Sequence, residues 1–144
     1  MKNKIIWVDL DEVLSETLDF LLEKNWNKIW DFEIKREEVK DYYIHKIPNL
    51  DLWVEDAIKW FQIPMNNDII NLEIKAVPWA LDKLLEFKIN WYKIVVVTAR
   101  IEDKFWEYTK KWLEKYFDNV IDEIIFTDHF TDKHRHKWEV CREI

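Results

Sequence analysis

The chain has 144 residues, of which 49% are hydrophobic, and carries a formal net charge of −7. This length and apolar content suffice for one domain with a buried core, and they argue against disorder. The acidic balance argues against binding to a nucleic-acid backbone, so we expect no nucleic-acid partner. The single cysteine, Cys141, cannot form an internal disulfide, and no apolar stretch approaches the length of a membrane span. We therefore expect a cytoplasmic protein with no membrane contact.

The first predicted element is a short buried strand that ends in two acids. Ile5 to Val8 form an apolar run, and Asp9 and Asp11 follow it with one residue between them. Such a run is typical of a parallel strand, whose carboxyl end borders the ligand crevice of an open α/β sheet. Residues two apart in an extended chain point to the same side, so both carboxylates would face one metal-held phosphate. The alternative is an ordinary polar turn after a strand.

The segments that follow are predicted to be helical. Ser15 is placed to cap a helix whose apolar positions recur at helical spacing through Ile29. Between residues 31 and 75, two more helical patterns are separated by a turn around Pro48, and Pro64 marks another break after the second pattern. No strand pattern is convincing in that part of the chain.

Beyond Val77 the chain alternates between helices and strands. The runs Lys93 to Thr98 and Val120 to Phe126 predict two further strands, and a helical pattern precedes each of them. Together with the first strand they imply a parallel sheet with crossover helices. Thr98, a small hydroxyl residue, closes the second strand.

Two of these strand ends resemble motifs of the haloacid dehalogenase (HAD) superfamily of phosphohydrolases. IIWVDLDEVL resembles its first motif, DxDx[TV], and KIVVVTAR resembles its second. The pair looks most like the 5'-nucleotidase-like group related to cytosolic deoxyribonucleotidases. The resemblance implies an α/β fold with a Rossmann-like three-layer parallel sheet and a small helical cap inserted after the first strand and helix. It places the core in residues 1–30 and 76–144, and the cap in residues 31–75.

The resemblance also implies a reaction and roles for four residues. Asp9 would be the nucleophile that forms an aspartyl-phosphate, and Asp11 would act as general acid and then base. Both aspartates would hold Mg²⁺, Asp11 also through its main-chain carbonyl. Thr98 would donate a hydrogen bond to a phosphoryl oxygen. Arg100 would help to orient the phosphoryl group, the alternative being a cation that only pairs with acids.

A lysine and a set of cap residues complete the implied site. Lys137 matches the lysine that neutralises charge on the phosphoryl group, with Lys133 as the competing candidate. In the cap, Tyr43 would stack on a base and Lys46 would meet a phosphate, unless both belong to an ordinary amphipathic surface. The expected substrate is a small phosphorylated metabolite such as a nucleoside monophosphate.

The fourth family motif, which supplies one or two more metal-binding aspartates, has no counterpart before Ile144. Asp128 and Asp132 are the nearest substitutes, although their positions do not match the motif. Either the chain is a fragment or truncated product, or the protein binds metal weakly and is catalytically impaired. Two functional hypotheses result: a Mg²⁺-dependent phosphomonoesterase, or a non-catalytic phosphate- or partner-binding domain that has lost the motif. The histidines between residues 129 and 136 match no tetrahedral zinc pattern and are interpreted as part of a polar loop.

The composition contains no glycine and ten tryptophans. An average chain of this length would carry roughly ten glycines. Trp91 stands between a predicted helix and strand, where a left-handed residue favours glycine, while Trp79 and Trp7 stand where HAD relatives commonly carry glycine. One hypothesis is that some tryptophans are glycines in the natural protein, through a genetic code that reads UGA as glycine. The alternative is a genuine tryptophan-rich core, to which Trp106 and Trp112 would belong.

Overall fold

A computed structural model of the chain describes residues 4–24, 34–40, 46–47, 53–62, 68–129 and 131–143. Its sheet consists of three parallel strands in the spatial order β1 (Lys4–Val8), β2 (Tyr92–Thr98) and β3 (Glu123–Phe126). The three predicted strands are therefore confirmed, and their carboxyl ends lie at one edge of the sheet. β3 begins at Glu123 rather than at Val120 because residues 118–120 form the turn that follows the preceding helix.

Within the described ranges, helices and a short 3₁₀ turn connect these strands. In chain order they are α1 (Thr17–Glu23), the 3₁₀ turn (Arg36–Glu38), α2 (Val54–Gln62), α3 (Asp68–Glu73), α4 (Ala80–Ile89), α5 (Glu102–Phe117) and α6 (Lys137–Glu143). Among the described residues, no helix has both the length and the apolar character needed to cross a membrane.

Helices cover both faces of the sheet. On one face, Ile94 of β2 packs in a cluster with Leu84 of α4 and Trp112 of α5. On the other face, Val95 of β2 packs with Val140 of α6. Neighbouring residues of a strand point to opposite faces, so the continuous apolar run of β2 fills both clusters. This arrangement confirms the predicted three-layer α/β fold.

The predicted cap, residues 31–75, is described only in part. Ile34 and Ile47 pack against Leu21 of α1. At the other end of the segment, α3 lies on α5, where Asn71 Nδ2 donates a hydrogen bond to the carbonyl of Tyr108 at 2.7 Å. The described part of this segment is helical or irregular, in line with the helical patterns of the sequence. The division into a core and a separate cap stays a prediction.

The loop between β1 and α1 differs from the sequence-based prediction. The Ser15 hydroxyl donates to the carbonyl of Leu10 at 3.1 Å, inside the loop, so Ser15 does not cap the helix. The N-cap position is Glu16, and its side chain makes no capping bond. Glu12 reaches forward instead, and its Oε1 accepts a hydrogen bond from the Leu18 N–H at 2.6 Å. The prediction of a Ser15 cap is wrong because the tight loop uses that hydroxyl itself.

Candidate active site

Asp9 and Lys137 meet at the carboxyl end of β1. Asp9 directly follows the strand, and its Oδ1 accepts a hydrogen bond from the Leu10 N–H at 2.8 Å. Its Oδ2 accepts a hydrogen bond from Nζ of Lys137, the first residue of α6, 128 positions along the chain. The two side chains are 37% and 36% exposed. A carboxylate that is partly open to solvent thus lies beside a cation at this edge of the sheet.

Asp11 lies in a more enclosed environment. The Arg100 guanidinium donates to both of its carboxylate oxygens, from Nε at 3.1 Å and from Nη2 at 2.7 Å. The Thr17 hydroxyl donates to Oδ1 at 2.8 Å. Burial by itself raises the pKa of Asp11, but Arg100 and Thr17 outweigh burial and hold that pKa below its ordinary value. Asp11 is therefore ionised at neutral pH.

Arg100 connects the Asp11 loop to α5. Its Nη1 donates to the hydroxyl of Thr109 at 3.0 Å, and the Thr109 side chain has no exposed surface. The arginine side chain is only 3% exposed, and its two parallel bonds to Asp11 form a bidentate pair. Of the two roles considered for Arg100, pairing with an acid is the one this structure displays. The sequence analysis did not identify Thr109, because a threonine within a helical pattern gives no indication of which residue its hydroxyl will contact.

Thr98 closes β2 next to this pair. Its hydroxyl accepts a hydrogen bond from the backbone N–H of Arg100 at 3.2 Å, and the residue has no exposed surface. A hydroxyl that accepts one hydrogen bond still carries an O–H that can donate. The expected hydrogen bond to a phosphoryl oxygen stays a prediction.

The two lysine candidates differ in the acidic residue that each contacts. Lys133 Nζ lies 2.8 Å from Oδ2 of Asp103, and both side chains are largely exposed. Lys137 contacts Asp9, and its positive charge also helps to lower the pKa of Asp11. The structure therefore brings Lys137, rather than Lys133, to the expected nucleophile.

Two residues were predicted to bind substrate from the cap, Tyr43 and Lys46. Tyr43 lies outside the described residues. Lys46 is described and is exposed. A role for either residue in substrate selection stays a prediction.

Neither Asp128 nor Asp132 completes a metal site with the two acids of the first motif. Oδ1 of Asp128 accepts a hydrogen bond from the Glu102 N–H at the start of α5, at 2.8 Å, and Asp132 is exposed. Within the part of the chain that the structure describes, no group of three or more His, Cys, Asp or Glu residues is placed to hold a metal ion.

The donors that remain are oxygen atoms, the ligand type that Mg²⁺ takes in proteins. Asp9 offers a partly exposed carboxylate that also contacts Lys137, whereas Arg100 and Thr17 engage the enclosed carboxylate of Asp11. Residue 11 would then contribute its main-chain carbonyl. Mg²⁺ commonly keeps several waters and takes only one or two carboxylates besides a substrate phosphate.

Three histidines lie in the loop before α6. Nδ1 of His129 and Nε2 of His134 are 3.2 Å apart, and the rings of His134 and His136 have centroids 4.9 Å apart. Burial lowers the pKa of His129, and the neighbouring His134 lowers it further. The loop leads directly into Lys137, in line with its interpretation as a polar connection to the site.

No family model matches the chain, and no curated protein sequence matches it significantly. Solved structures do resemble it. A predicted phosphatase from Clostridium acetobutylicum is 15% identical with a TM-score of 0.59, and the match covers 87% of this chain and 61% of that protein. A haloacid dehalogenase-like hydrolase from Streptococcus pneumoniae is 15% identical with a TM-score of 0.63, and the match covers 99% of this chain and 69% of that one.

A HAD-superfamily hydrolase of subfamily IA from Geobacter sulfurreducens is also similar, with 14% identity and a TM-score of 0.56 over 97% of this chain and 71% of that one. The structural neighbours are thus HAD-superfamily phosphatases and hydrolases, and the chain shares their Rossmann-like α/β fold. At these identities the likeness establishes the fold alone. The chain spans less than two thirds of the Clostridium protein.

Proposed function

We propose that this protein is a phosphomonoester hydrolase that acts through an aspartyl-phosphate on Asp9. The observation that carries the proposal is the contact between Asp9 and Lys137 at the carboxyl end of the sheet, next to the end of β2. A partly exposed carboxylate can reach a phosphate ester there, and the ammonium group beside it attracts the anionic phosphoryl group. The phosphatase fold of the structural neighbours supports the same reaction class.

The reaction would proceed in two displacements. In the first, a carboxylate oxygen of Asp9 bonds to phosphorus, the bond from phosphorus to the ester oxygen breaks, and that oxygen takes up a proton. In the second, a water oxygen bonds to phosphorus, its proton passes to Asp11, and the bond to Asp9 breaks, which releases inorganic phosphate. Lys137 balances the negative charge of the phosphoryl group during both steps.

Asp11 is ionised, and its contact with Arg100 weakens its affinity for a proton. To protonate the leaving oxygen it must first bind a proton, and the adjacent guanidinium opposes that step. Taking a proton from water as a base is opposed in the same way, so we assign both proton-transfer roles to an arrangement in which Asp11 has separated from Arg100.

Mg²⁺ would be held by the carboxylate of Asp9 and the main-chain carbonyl of Asp11. When bound, the ion would polarise the phosphoryl oxygens and offset their charge. The proposed substrates are small phosphorylated metabolites, and nucleoside monophosphates are the finer proposal, following the 5'-nucleotidase-like motifs. Tyr43 and Lys46 are the residues proposed to contact the base and the phosphate.

The test is release of inorganic phosphate from a panel of nucleoside monophosphates and from para-nitrophenyl phosphate, with Mg²⁺ and with chelator. We expect Mg²⁺-dependent release that falls to background in Asp9→Asn. Asp82→Asn is the matched control, because Asp82 is exposed on α4, and it should retain full activity. Undiminished phosphate release by Asp9→Asn would overturn the assignment of Asp9 as the nucleophile. Activity on para-nitrophenyl phosphate but on no nucleoside monophosphate would overturn the nucleotidase proposal.

A second candidate is a domain that binds phosphate without turnover. It is favoured by the lack, within the described residues, of a third acidic ligand beside Asp9 and Asp11. In that case inorganic phosphate would raise the melting temperature while no ester is hydrolysed in the presence of Mg²⁺. Turnover that depends on Asp9 would exclude this candidate.

A further inference from the structure

The tryptophans of this chain lie in contrasting environments. Trp112 of α5 is 1% exposed, and its Nε1 donates a hydrogen bond to the carbonyl of Ile74 at 2.8 Å. Its ring packs against Tyr116 and Phe117, with centroids 5.0 and 5.7 Å away. Both the size and the N–H group of this indole are used by the fold.

Trp91 shows the opposite pattern. It directly follows Asn90, the C-cap of α4, and its backbone adopts φ 64° in the left-handed region. Its side chain is 89% exposed, so the indole gains almost no burial. A side-chain β-carbon is disfavoured at such a φ, and glycine, which has none, is the usual residue just after a helix C-cap.

Trp79 and Trp53 stand at the starts of helices. Trp79 is the N-cap of α4, makes no side-chain capping bond and is 64% exposed. Trp53 immediately precedes α2, its carbonyl accepts the Ala57 N–H at 3.0 Å, and it is 76% exposed. Glycine is tolerated at an N-cap, whereas an indole offers no acceptor for the free N–H groups of the first turn.

We propose that the natural protein carries glycine at positions 53, 79 and 91 and tryptophan at position 112. The exposure of the first three side chains and the φ of Trp91 separate them from Trp112. A code that reads UGA as glycine accounts for the tryptophans printed at these positions and restores three glycines to a chain that is printed with none in 144 residues. With glycine at these three positions, the natural protein has no exposed indole at any of them, and the three positions do not form an aromatic docking site for a partner.

Trp7 does not show this pattern. It lies within β1, is partly buried and packs against the cluster around Val95 and Val140. For Trp7 the glycine hypothesis rests on composition and motif alone, and its packing in β1 does not support it.

The direct test is peptide mass spectrometry of the protein purified from its native source, together with the codons of its gene. We expect UGA codons and glycine masses at positions 53, 79 and 91, and a UGG codon with a tryptophan mass at position 112. Tryptophan masses at the three exposed positions would overturn the proposal, whatever the activity of the protein.

A second test uses thermal unfolding of the protein with the sequence as printed. Trp91→Gly and Trp91→Ala remove the same indole, but only glycine removes the β-carbon. We expect Trp91→Gly to melt a few degrees above Trp91→Ala, while Trp112→Gly melts roughly ten degrees or more below the parent protein. Equal melting temperatures for the two Trp91 variants would overturn the conformational argument.

Discussion

Asp9 and Asp11 are two residues apart, yet they lie in two different regions of the site. Asp9, 37% exposed, faces Lys137 from α6 at the edge of the sheet. Asp11, 17% exposed, is enclosed by Arg100, which Thr109 of α5 holds in turn. One acid is partly open to solvent beside a cation, whereas the other joins its loop to α5 through Arg100. The comparison shows that two acids of one sequence motif can differ in solvent exposure and in hydrogen-bond partners.

Arg100→Met should have the largest effect on the enclosed region. It leaves Asp11 in a largely buried position without its cation, and breaking such a pair costs about 3–5 kcal/mol of the free energy of unfolding. Urea unfolding measures this loss. Lys133→Met breaks an exposed pair with Asp103 and serves as the control, with an unchanged midpoint. A midpoint for Arg100→Met equal to that of the parent would mean that the two regions do not differ.

Lys137→Met tests the open region. We expect kcat to fall about 10²–10³-fold, because a cation beside the developing phosphoryl charge is removed. The melting temperature should change little, since both partners are partly exposed. Steady-state kinetics and thermal unfolding on one preparation measure both effects. A large loss of stability with unchanged kcat would instead make Lys137 a structural residue.

Thr109→Val tests how far the enclosed region depends on α5. The variant keeps the shape of the side chain but leaves one buried donor of Arg100 without its acceptor, at a cost of about 1–3 kcal/mol. Thr109→Ser keeps the hydroxyl and should lie closer to the parent protein in urea unfolding. If the valine and serine variants prove equally stable, the hydroxyl does not support the pair.

The pH dependence of stability should be the smallest effect. Because the folded pKa of Asp11 is lowered, its stabilisation is complete above the unfolded pKa and is lost as the pH falls through the folded pKa. Burial raises the pKa of Asp122, but Lys88 and the Ile94 N–H outweigh burial and lower it. Asp122 therefore also contributes stability that is lost as the pH falls. Urea unfolding across the acidic range should show a shallower decline for Asp122→Asn, and a still shallower one when Asp11 is also replaced by asparagine. An unchanged slope in the double variant would contradict this assignment.

The sequence analysis predicted the three strands, the helices α4 and α5, and the location of two acids at the end of β1. These features depend on local apolar runs and on charges at their ends, which a single sequence displays. The Ser15 cap was predicted wrongly because both Ser15 and Glu12 are near enough in sequence to accept a hydrogen bond from the first turn of α1. The loop conformation decides that Glu12 accepts it, while Ser15 bonds within the loop. Thr109 could not be identified, since its partner lies nine positions back, outside the helix that carries it.

By itself, the sequence determined the α/β class, the strand ends at which chemistry is expected, and the short set of candidate residues. Only the tertiary structure decided that Lys137 rather than Lys133 reaches Asp9, and that Arg100 binds Asp11. Those contacts join residues 128 and 89 positions apart. The physical reason is that strand order and helix packing bring distant side chains together, and neither can be deduced from the residues next to each side chain.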